Sequence, residues 1–262
     1  MNATEDVLYS VSGRVATITI NRPERRNSLS AAVISGMGAL LTQASSDPAV
    51  GAVVITGAGG KAFCSGADLA GAIRGQESFL ELHEGRGEFA ELLLKMNACR
   101  KPVLGAVEGY CLAGGVGLCL ACDIVVASDD SEFGTPEIKR GLWPYMVTAL
   151  LIRNVGRKKA LELCMTGERI MAAEAERLGL INACVPKAEF KQRVEEMATQ
   201  LASYSPAVMA LGKASFYRIA DLETRAALEY LKSQLTLNLQ CEDLAEGISA
   251  FLQKREPEWK GR

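Results

Sequence analysis

The segment from residue 102 to residue 123 constrains the fold more than any other part of the sequence. It opens with the apolar run 103–107, which is short, partly β-branched and typical of a buried strand. Small residues follow at 113–115, and the apolar residues after them recur at helical spacing, which predicts a helix buried on most sides. A strand, a small-residue turn and a helix in this order expose the first N–H groups of the helix as a site for an anion. Close packing of the helix against the strand is the other interpretation of the same glycines.

Length, composition and charge restrict the classes of protein to which the chain can belong. Its 262 residues suffice for one large core, or for one core with a small helical appendage. With 48% hydrophobic and 23% charged residues, the composition is that of a globular protein. A net charge of −2 provides no basic field for nucleic acid or for an anionic membrane. We therefore expect neither a nucleic-acid partner nor a membrane partner.

Two further features predict a cytoplasmic protein without a metal. The N-terminal residues lack the basic and apolar regions of a signal peptide, and no apolar run approaches the ~20 residues that span a bilayer. The eight cysteines are scattered through apolar segments, which suits a reducing compartment. Cys119 and Cys122 form a C-x-x-C pair, but a second pair for zinc is missing, so both are predicted to fill the core.

Strands alternate with helices over the first half of the chain. A β-hairpin is predicted at 7–20, and buried strands are predicted at 50–56, 103–107 and 124–127. Helices are predicted at 30–44 and at 76–99, and glycines in the second helix predict an irregular centre. From residue 148 onward the pattern is mainly helical, with one additional strand at 180–185. Such alternation predicts an α/β fold with right-handed crossovers and ligand sites at the carboxyl ends of the strands.

Two turns and one carboxylate suggest the chemistry. The turn 65–68 can offer the N–H of Ala67, and the turn 113–115 can offer the N–H of Gly114. Two backbone donors that converge on one point form an oxyanion hole, which holds a carbonyl oxygen as it gains charge on becoming an enolate. Glu137 follows a helix-starting proline in the run F-G-T-P-E and is the third element of the predicted site.

Five motifs in this order resemble the crotonase superfamily, that is, the enoyl-CoA hydratases and isomerases. They are N-R-P at 21–23, A-F-C-S-G-A-D-L at 62–69, E-G-Y-C-L-A-G-G-V-G-L at 108–118, C-D-I at 122–124 and F-G-T-P-E at 133–137. Later segments at 163–169 and 246–251 agree with this family as well, so the resemblance covers nearly the whole chain.

The resemblance implies a fold, a substrate and an assembly. The fold is an α/β spiral of ββα units followed by a helical trimerisation region. We place the acyl-CoA-binding core at 1–200 and the helical oligomerisation region at 201–262. The substrate is an acyl-CoA thioester that reacts through an enolate, and no cofactor is expected because coenzyme A is part of the substrate. The assembly is a homotrimer or a dimer of trimers.

Residue roles follow from the same resemblance, position by position. Ala67 and Gly114 match the two oxyanion donors, and Glu137 matches the second of the two hydratase glutamates. The first of these glutamates is replaced by Gly117. One carboxylate can take a proton from one carbon and return it to another, as in the single-carboxylate isomerases of the family, whereas hydration is best understood with two. A carboxylate at a helix N-terminus, stabilised by the dipole, is the structural interpretation of Glu137.

Further positions are expected to bind the substrate. The family binds the nucleotide of coenzyme A with basic residues after the N-R-P turn and near the C-terminus, which implies Arg25, Arg26 and Lys254 here; each is also interpretable as a solvated surface charge. Trp143 and Tyr145 stand where hydratases have small residues and imply a remodelled acyl pocket.

Three other polar residues could take part in acid–base chemistry by their residue type. Asp68 and Asp123 belong to family motifs and are predicted to be structural, as residues that cap turns or pair with the backbone. His83, the single histidine of the chain, is predicted to border the acyl pocket or to lie on a helix surface.

Two hypotheses of different classes remain. The first is an enoyl-CoA hydratase/isomerase that hydrates 2-enoyl-CoA or moves the double bond of enoyl-CoA. The second is a non-catalytic acyl-CoA-binding or scaffolding homologue, which Gly117 favours and the intact Ala67, Gly114 and Glu137 disfavour. A serine peptidase lacks motif support for a triad of Ser65 and His83.

Overall fold

A six-stranded sheet forms the centre of the fold. The computed structural model describes residues 5–68 and 79–262. Five of the strands are parallel, and only the N-terminal strand pairs antiparallel with its neighbour. In spatial order they are β1 (Val7–Ser12), β2 (Val15–Ile20), β3 (Ala52–Gly57), β5 (Val103–Val107), β7 (Ile124–Ser128) and β10 (Ala183–Val185).

A second sheet of four short strands carries the residues of interest. Its spatial order is β4 (Ala62–Cys64), β6 (Tyr110–Leu112), β8 (Glu132–Gly134) and β9 (Arg169–Met171). The first three strands are parallel to one another, and β9 is antiparallel to β8. Because parallel strands end at the same edge of a sheet, the segments that follow β4, β6 and β8 leave it side by side.

Helices follow the strands and then dominate the C-terminal part of the described chain. They are α1 (Ala31–Ser46), α2 (Phe79–Ala98), α3 (Gly114–Ala121), α4 (Tyr145–Asn154), α5 (Arg157–Thr166), α6 (Ala172–Arg177), α7 (Phe190–Ala202), α8 (Pro206–Ile219), α9 (Thr224–Asn238) and α10 (Glu242–Gln253). Single 3₁₀ turns lie at Pro23–Arg25 and Pro136–Arg140. None of the helices in this part of the chain is long and apolar enough to cross a bilayer.

The large sheet is buried on both faces, which explains its nearly continuous apolar strands. Val53 and Ile55 face a core shared with α1 and α2, whereas Val54 between them faces a second cluster with α7. The alternation follows from the two-residue period of a strand. Helix α3 is buried from Gly115 to Ala121 within the main core, as its sequence predicts.

Most of the elements predicted from the sequence are confirmed within a few residues, and two predictions differ from the structure. Helix α2 runs from Phe79 to Ala98 without an irregular centre, so that prediction is wrong; the predicted residues 76–78 lie outside the described part of the chain. The sequence predicts the turns that follow β4 and β6, whereas the four short strands of the second sheet were not predicted.

The C-terminal helices are tied to the large sheet by one buried ion pair. Lys213 Nζ on α8 lies 2.6 Å from Asp123 Oδ2, just before β7. The other oxygen of Asp123 accepts a hydrogen bond from Tyr217 Oη at 2.7 Å, and Oδ2 also accepts one from the N–H of Val103. Asp123 is therefore a structural residue, as predicted, although its partners are mainly side chains. The division of the chain at residue 200 stays a prediction.

Candidate active site

The predicted site lies where three neighbouring parallel strands end. Strand β4 leads into the turn 65–68, β6 into the turn 113–115, and β8 into the segment that contains Glu137. The register pairs Cys64 with Cys111 and Leu112 with Gly134, so the three segments begin at nearly the same level. The sequence motifs, far apart along the chain, are thus collected at one edge of the second sheet.

The first two turns are in direct contact. A Cβ atom placed on Gly66 would lie 2.5 Å from the Cβ of Ala113 and 3.1 Å from the backbone nitrogen of Gly114. Gly66 also has a φ of +94°, a conformation that side chains rarely permit. Only glycine therefore fits at position 66, and its absent side chain brings the two candidate donor turns together.

The N–H of Ala67 points away from Leu29, the residue with which its turn forms backbone hydrogen bonds. Leu29 donates its N–H to the carbonyl of Gly66 at 2.8 Å and accepts from the N–H of Asp68 at 2.9 Å. Since successive N–H groups of an extended segment point to opposite sides, that of Ala67 faces the other way. Within the described part of the chain it has no hydrogen-bond partner.

The second donor is the first N–H of α3. Gly114 begins this helix, so its N–H has no partner within the helix. Ala113 precedes it with φ 54° and ψ −125°, an unusual conformation for a residue with a side chain that costs about 1–3 kcal/mol. The N–H of Ala113 donates to the carbonyl of Gly134 at 2.9 Å, which holds this turn against the strand that leads to Glu137.

Glu137 has the properties of a candidate base. Its side chain is half-buried, and its Oε2 atom is buried without a hydrogen-bond partner among the described residues. Burial raises the pKa of its carboxyl above the ordinary value, while its own backbone N–H and the charge of Arg140 act in the opposite direction. A carboxylate oxygen that is free of partners and of raised basicity is suited to accept a proton.

Apolar atoms lie next to Gly117, where the resemblance places the first hydratase glutamate. A Cβ atom on Gly117 would lie 3.2 Å from Cζ of Phe89 and 3.3 Å from Cγ2 of Val147. Phe89 belongs to α2 and Val147 to α4, and both side chains are buried. Neither residue was singled out from the sequence, because nothing in the spacing of three separate helices indicates that they meet.

The loop after β2 holds the turn of Ala67. Arg22 lies on Asp68, with Nη2 2.9 Å from Oδ2, and the N–H of Ser65 donates to the carbonyl of Arg26 at 3.1 Å. The fully buried Asn27 links this loop to β4 through a 2.6 Å hydrogen bond from Nδ2 to the carbonyl of Ala62. Asp68 is thus structural, as predicted; the positioning roles of Arg22 and Asn27 were not predicted, although both lie in or beside the N-R-P motif.

Two of the predicted coenzyme A residues lie next to this turn. Arg25 Nη1 is 3.5 Å from Oδ2 of Asp68, and the guanidinium carbon of Arg26 is 5.9 Å from the ring centre of Tyr110. Both arginines are exposed beside the candidate oxyanion donors. Lys254 lies at the end of α10, and its ammonium makes no ion pair within the described residues.

The other predicted residues divide into buried and exposed ones. Trp143 is half-buried against the main core, whereas Tyr145 begins α4 and is 74% exposed. His83 is exposed on α2. From the segment that contains Trp143 and Tyr145, Val147 is the residue that lies beside Gly117.

The chain is similar to known proteins along nearly its whole length. The family model described as enoyl-CoA hydratase/isomerase matches residues 10–262. A probable mitochondrial enoyl-CoA hydratase of Dictyostelium discoideum is 35% identical over 251 residues, which cover 95% of this chain and 89% of that protein. The 2,3-dehydroadipyl-CoA hydratase of Escherichia coli K12 is 34% identical over 258 residues, 98% of this chain and 99% of that protein.

Solved structures give the same result at the level of the fold. The crystal structure of enoyl-CoA hydratase from Bacillus anthracis superimposes with a TM-score of 0.93 at 30% identity, and the match covers 98% of this chain and 100% of that one. The α/β fold that the resemblance to the crotonase superfamily predicts is therefore confirmed.

Proposed function

Because the chain belongs to the enoyl-CoA hydratase/isomerase family, we propose that it moves the double bond of an enoyl-CoA thioester with Glu137 as the single base. Two observations made together carry this proposal: Oε2 of Glu137 has no hydrogen-bond partner among the described residues, and the atoms nearest to a Cβ on Gly117 are apolar. Such a site can move a proton between two carbons and has no second acid to share a water.

The proposed reaction has two proton transfers. Glu137 removes a proton from the α-carbon of a 3-enoyl-CoA, and the electron pair moves onto the thioester oxygen to form a dienolate. The N–H groups of Ala67 and Gly114 stabilise the negative charge on this oxygen. Protonated Glu137 then returns the proton to the γ-carbon, the double bond moves from C3–C4 to C2–C3, and the carboxylate is regenerated.

Binding of the thioester is proposed to involve residues on both sides of this centre. Arg25 and Arg26 lie beside the turn of Ala67 and would bind phosphates of coenzyme A, together with Lys254. Trp143 and Tyr145 would shape the acyl pocket. The proposal needs no metal and no cofactor other than the coenzyme A of the substrate, and a cytoplasmic location remains part of it.

Hydration of 2-enoyl-CoA is the second candidate reaction, since several relatives are named as hydratases. It would require Glu137 to activate water without a second carboxylate at position 117. Acyl-CoA binding without turnover is the third candidate, and the intact donors and base speak against it.

The experiment separates these three candidates. Purified protein is assayed against panels of 3-enoyl-CoA and 2-enoyl-CoA, with isomerisation and hydration followed separately. We expect isomerisation, and we expect Glu137→Gln to lower turnover by about 10²–10⁴-fold with little change in affinity for the thioester, because only the base is removed. Full activity of this variant would refute the assignment of Glu137, and acyl-CoA binding without any turnover in the wild type would favour the non-catalytic candidate.

A further inference from the structure

Three apolar side chains from separate elements close over the first turn of α3. Cδ1 of Leu29 lies 3.3 Å and Cζ of Phe89 lies 3.6 Å from the place of a Cβ on Gly114. One turn further along the helix, the three atoms nearest to a Cβ on Gly117 all belong to Phe89 and Val147. The tip of the Phe89 ring therefore lies beside both Gly114, the candidate oxyanion donor, and Gly117.

This space offers little to a water molecule. An ordered water in a protein interior needs two to four polar partners. The three atoms nearest to a Cβ on Gly117 supply none, because they belong to the hydrocarbon side chains of Phe89 and Val147, which are 7% and 3% exposed. A water on this side of the enolate would therefore border hydrocarbon at the ring of Phe89 and at Val147.

We infer that Phe89 determines the reaction specificity of the site: its ring excludes water from the face of the enolate beside Gly117, so that the proton on Glu137 returns to carbon. This inference rests on the proposed function, and it assigns to Phe89 the preference for isomerisation over hydration. Val147 supports the ring from the side of α4.

The ring also explains why a carboxylate cannot simply be restored. At 3.2 Å from Cζ, a Cβ on residue 117 is closer than ordinary van der Waals contact, so the ring has to shift by a few tenths of an ångström before any side chain fits there. Gly117→Glu alone is therefore expected to lose activity without gaining hydration. Phe89→Leu removes the atoms at the ring tip, keeps the residue apolar and makes room for the glutamate.

The first experiment compares wild type, Gly117→Glu, Phe89→Leu and the double variant Phe89→Leu/Gly117→Glu. Hydration is followed as incorporation of ¹⁸O from labelled water into 3-hydroxyacyl-CoA, and isomerisation as conversion of 3-enoyl-CoA. We expect the ratio of hydration to isomerisation to rise severalfold in Phe89→Leu, which admits water, and by about 10²-fold in the double variant, the low end of what a positioned acid–base group contributes. An unchanged ratio in the double variant, or an equal rise in Gly117→Glu alone, would overturn the inference.

A second measurement needs only the single variant, so it remains decisive if the double variant does not fold. Isomerisation in D₂O reports how often Glu137 exchanges its proton with solvent before returning it. We expect Phe89→Leu to increase deuterium at the γ-carbon severalfold, and an unchanged deuterium content would overturn the inference. Phe190→Leu is the matched control, because Phe190 is 5% exposed and packs on the other face of the large sheet.

Failure of this inference is distinguishable from failure of the proposed function. If the wild type isomerises 3-enoyl-CoA and neither measurement responds to Phe89→Leu, the proposed function stands and the role of Phe89 is refuted. If the wild type has no isomerase activity, the proposed function itself is refuted, and the specificity assigned to Phe89 is refuted with it.

Discussion

Glu137 retains a carboxylate oxygen that is buried and unpaired, and such an atom costs stability. An unsatisfied buried acceptor costs about 1–3 kcal/mol, and more when it is charged. The raised pKa of this carboxyl expresses the same cost, since burial disfavours its ionised form. Glu137 is therefore less stable in place than a buried glutamate with partners would be, but Oε2 keeps lone pairs that no described residue occupies.

This environment predicts the acid limb of the pH profile. A base works only when ionised, so activity is lost as the pH falls through the pKa of Glu137, which lies above the ordinary 4.5. We expect kcat/KM for 3-enoyl-CoA to decline at a pH above this value, and we expect this limb to be absent from the residual activity of Glu137→Gln. A limb at or below the ordinary value would contradict the burial argument.

The same shift has a consequence for stability with a definite sign. A carboxyl whose pKa is raised on folding favours the folded state at low pH, and this contribution is lost as the pH rises through the folded pKa. The change in Tm caused by Glu137→Gln should therefore be more favourable at pH 7 than at pH 4. Thermal unfolding of both proteins at the two pH values measures this difference.

How far the sequence predicts single residues depends on where their partners lie. Ala67, Gly114 and Glu137 belong to continuous motifs, so the sequence identified them as candidates. Phe89 and Asn27 act through contacts with distant segments, and no spacing along the chain encodes such contacts. The sequence also could not show that the space beside Gly117 is filled, since this depends on the packing of three helices.

At the level of elements, long strands were predictable and the strands of the second sheet were not. Strands of six residues such as β2 and β3 show a clear pattern, whereas the three residues of β4, β6 or β8 are too few for any period to appear. The unbroken helix α2 was not predictable either. Each glycine costs a helix about 1 kcal/mol, and packing of the helix against the core outweighs that cost.

The contact between the two donor turns gives a prediction at this scale. Gly66→Ala introduces a Cβ 2.5 Å from that of Ala113, on a backbone with positive φ. We expect kcat to fall by about 10²–10³-fold, the effect of losing one oxyanion donor. Steady-state kinetics measures this.

A control and a rescue variant make the test specific. Gly212→Ala is the control, because a Cβ there has nothing within 4 Å and alanine favours the helix α8. Ala113→Gly combined with Gly66→Ala removes one of the two clashing atoms and should recover part of the activity. Wild-type kcat in Gly66→Ala would show that the turns do not depend on this close approach.

At the level of the whole molecule, the buried ion pair between Lys213 and Asp123 joins the C-terminal helices to the central sheet. Lys213→Met leaves the carboxylate of Asp123 without its cation but with two other donors. We expect a loss of about 3 kcal/mol, the low end for a broken buried pair, or a decrease in Tm of about 6–12 °C. Calorimetry measures this decrease.

The matched control is an ion pair on the surface. Lys260 Nζ lies 3.6 Å from Glu242, and both side chains are at least half exposed. Lys260→Met should therefore cost less than about 1 kcal/mol. Equal effects of Lys213→Met and Lys260→Met would mean that the contact with Asp123 is not a structural link.

An apolar stripe on α9 leads to the prediction for the assembly. Leu228 and Leu235 are 63% and 59% exposed in the single chain, and Leu231 and Leu239 lie on the same face of the helix. A stripe of this size is typical of a subunit interface. We expect a homotrimer or a dimer of trimers in solution by light scattering.

Charge on this stripe should separate the subunits. Leu235→Asp is expected to dissociate the assembly or to lower its stability, whereas Ser233→Asp, on the opposite face of α9, should leave it intact. A monomeric wild type at micromolar concentration would contradict the prediction, and so would a variant Leu235→Asp that assembles like the wild type.

The contact between Phe89 and Gly117 also restricts how such a sequence can change over generations. A glutamate that appears first at position 117 meets the ring, and overpacking of this kind costs about 1–3 kcal/mol. Loss of the ring first leaves a cavity at a cost of about 3–5 kcal/mol, a large part of the 5–15 kcal/mol that stabilises a typical domain. Each single step is therefore disfavoured, and the two positions are expected to covary among descendants of this fold. A lineage that uses one carboxylate would be separated from one that uses two by a barrier of packing as well as of chemistry.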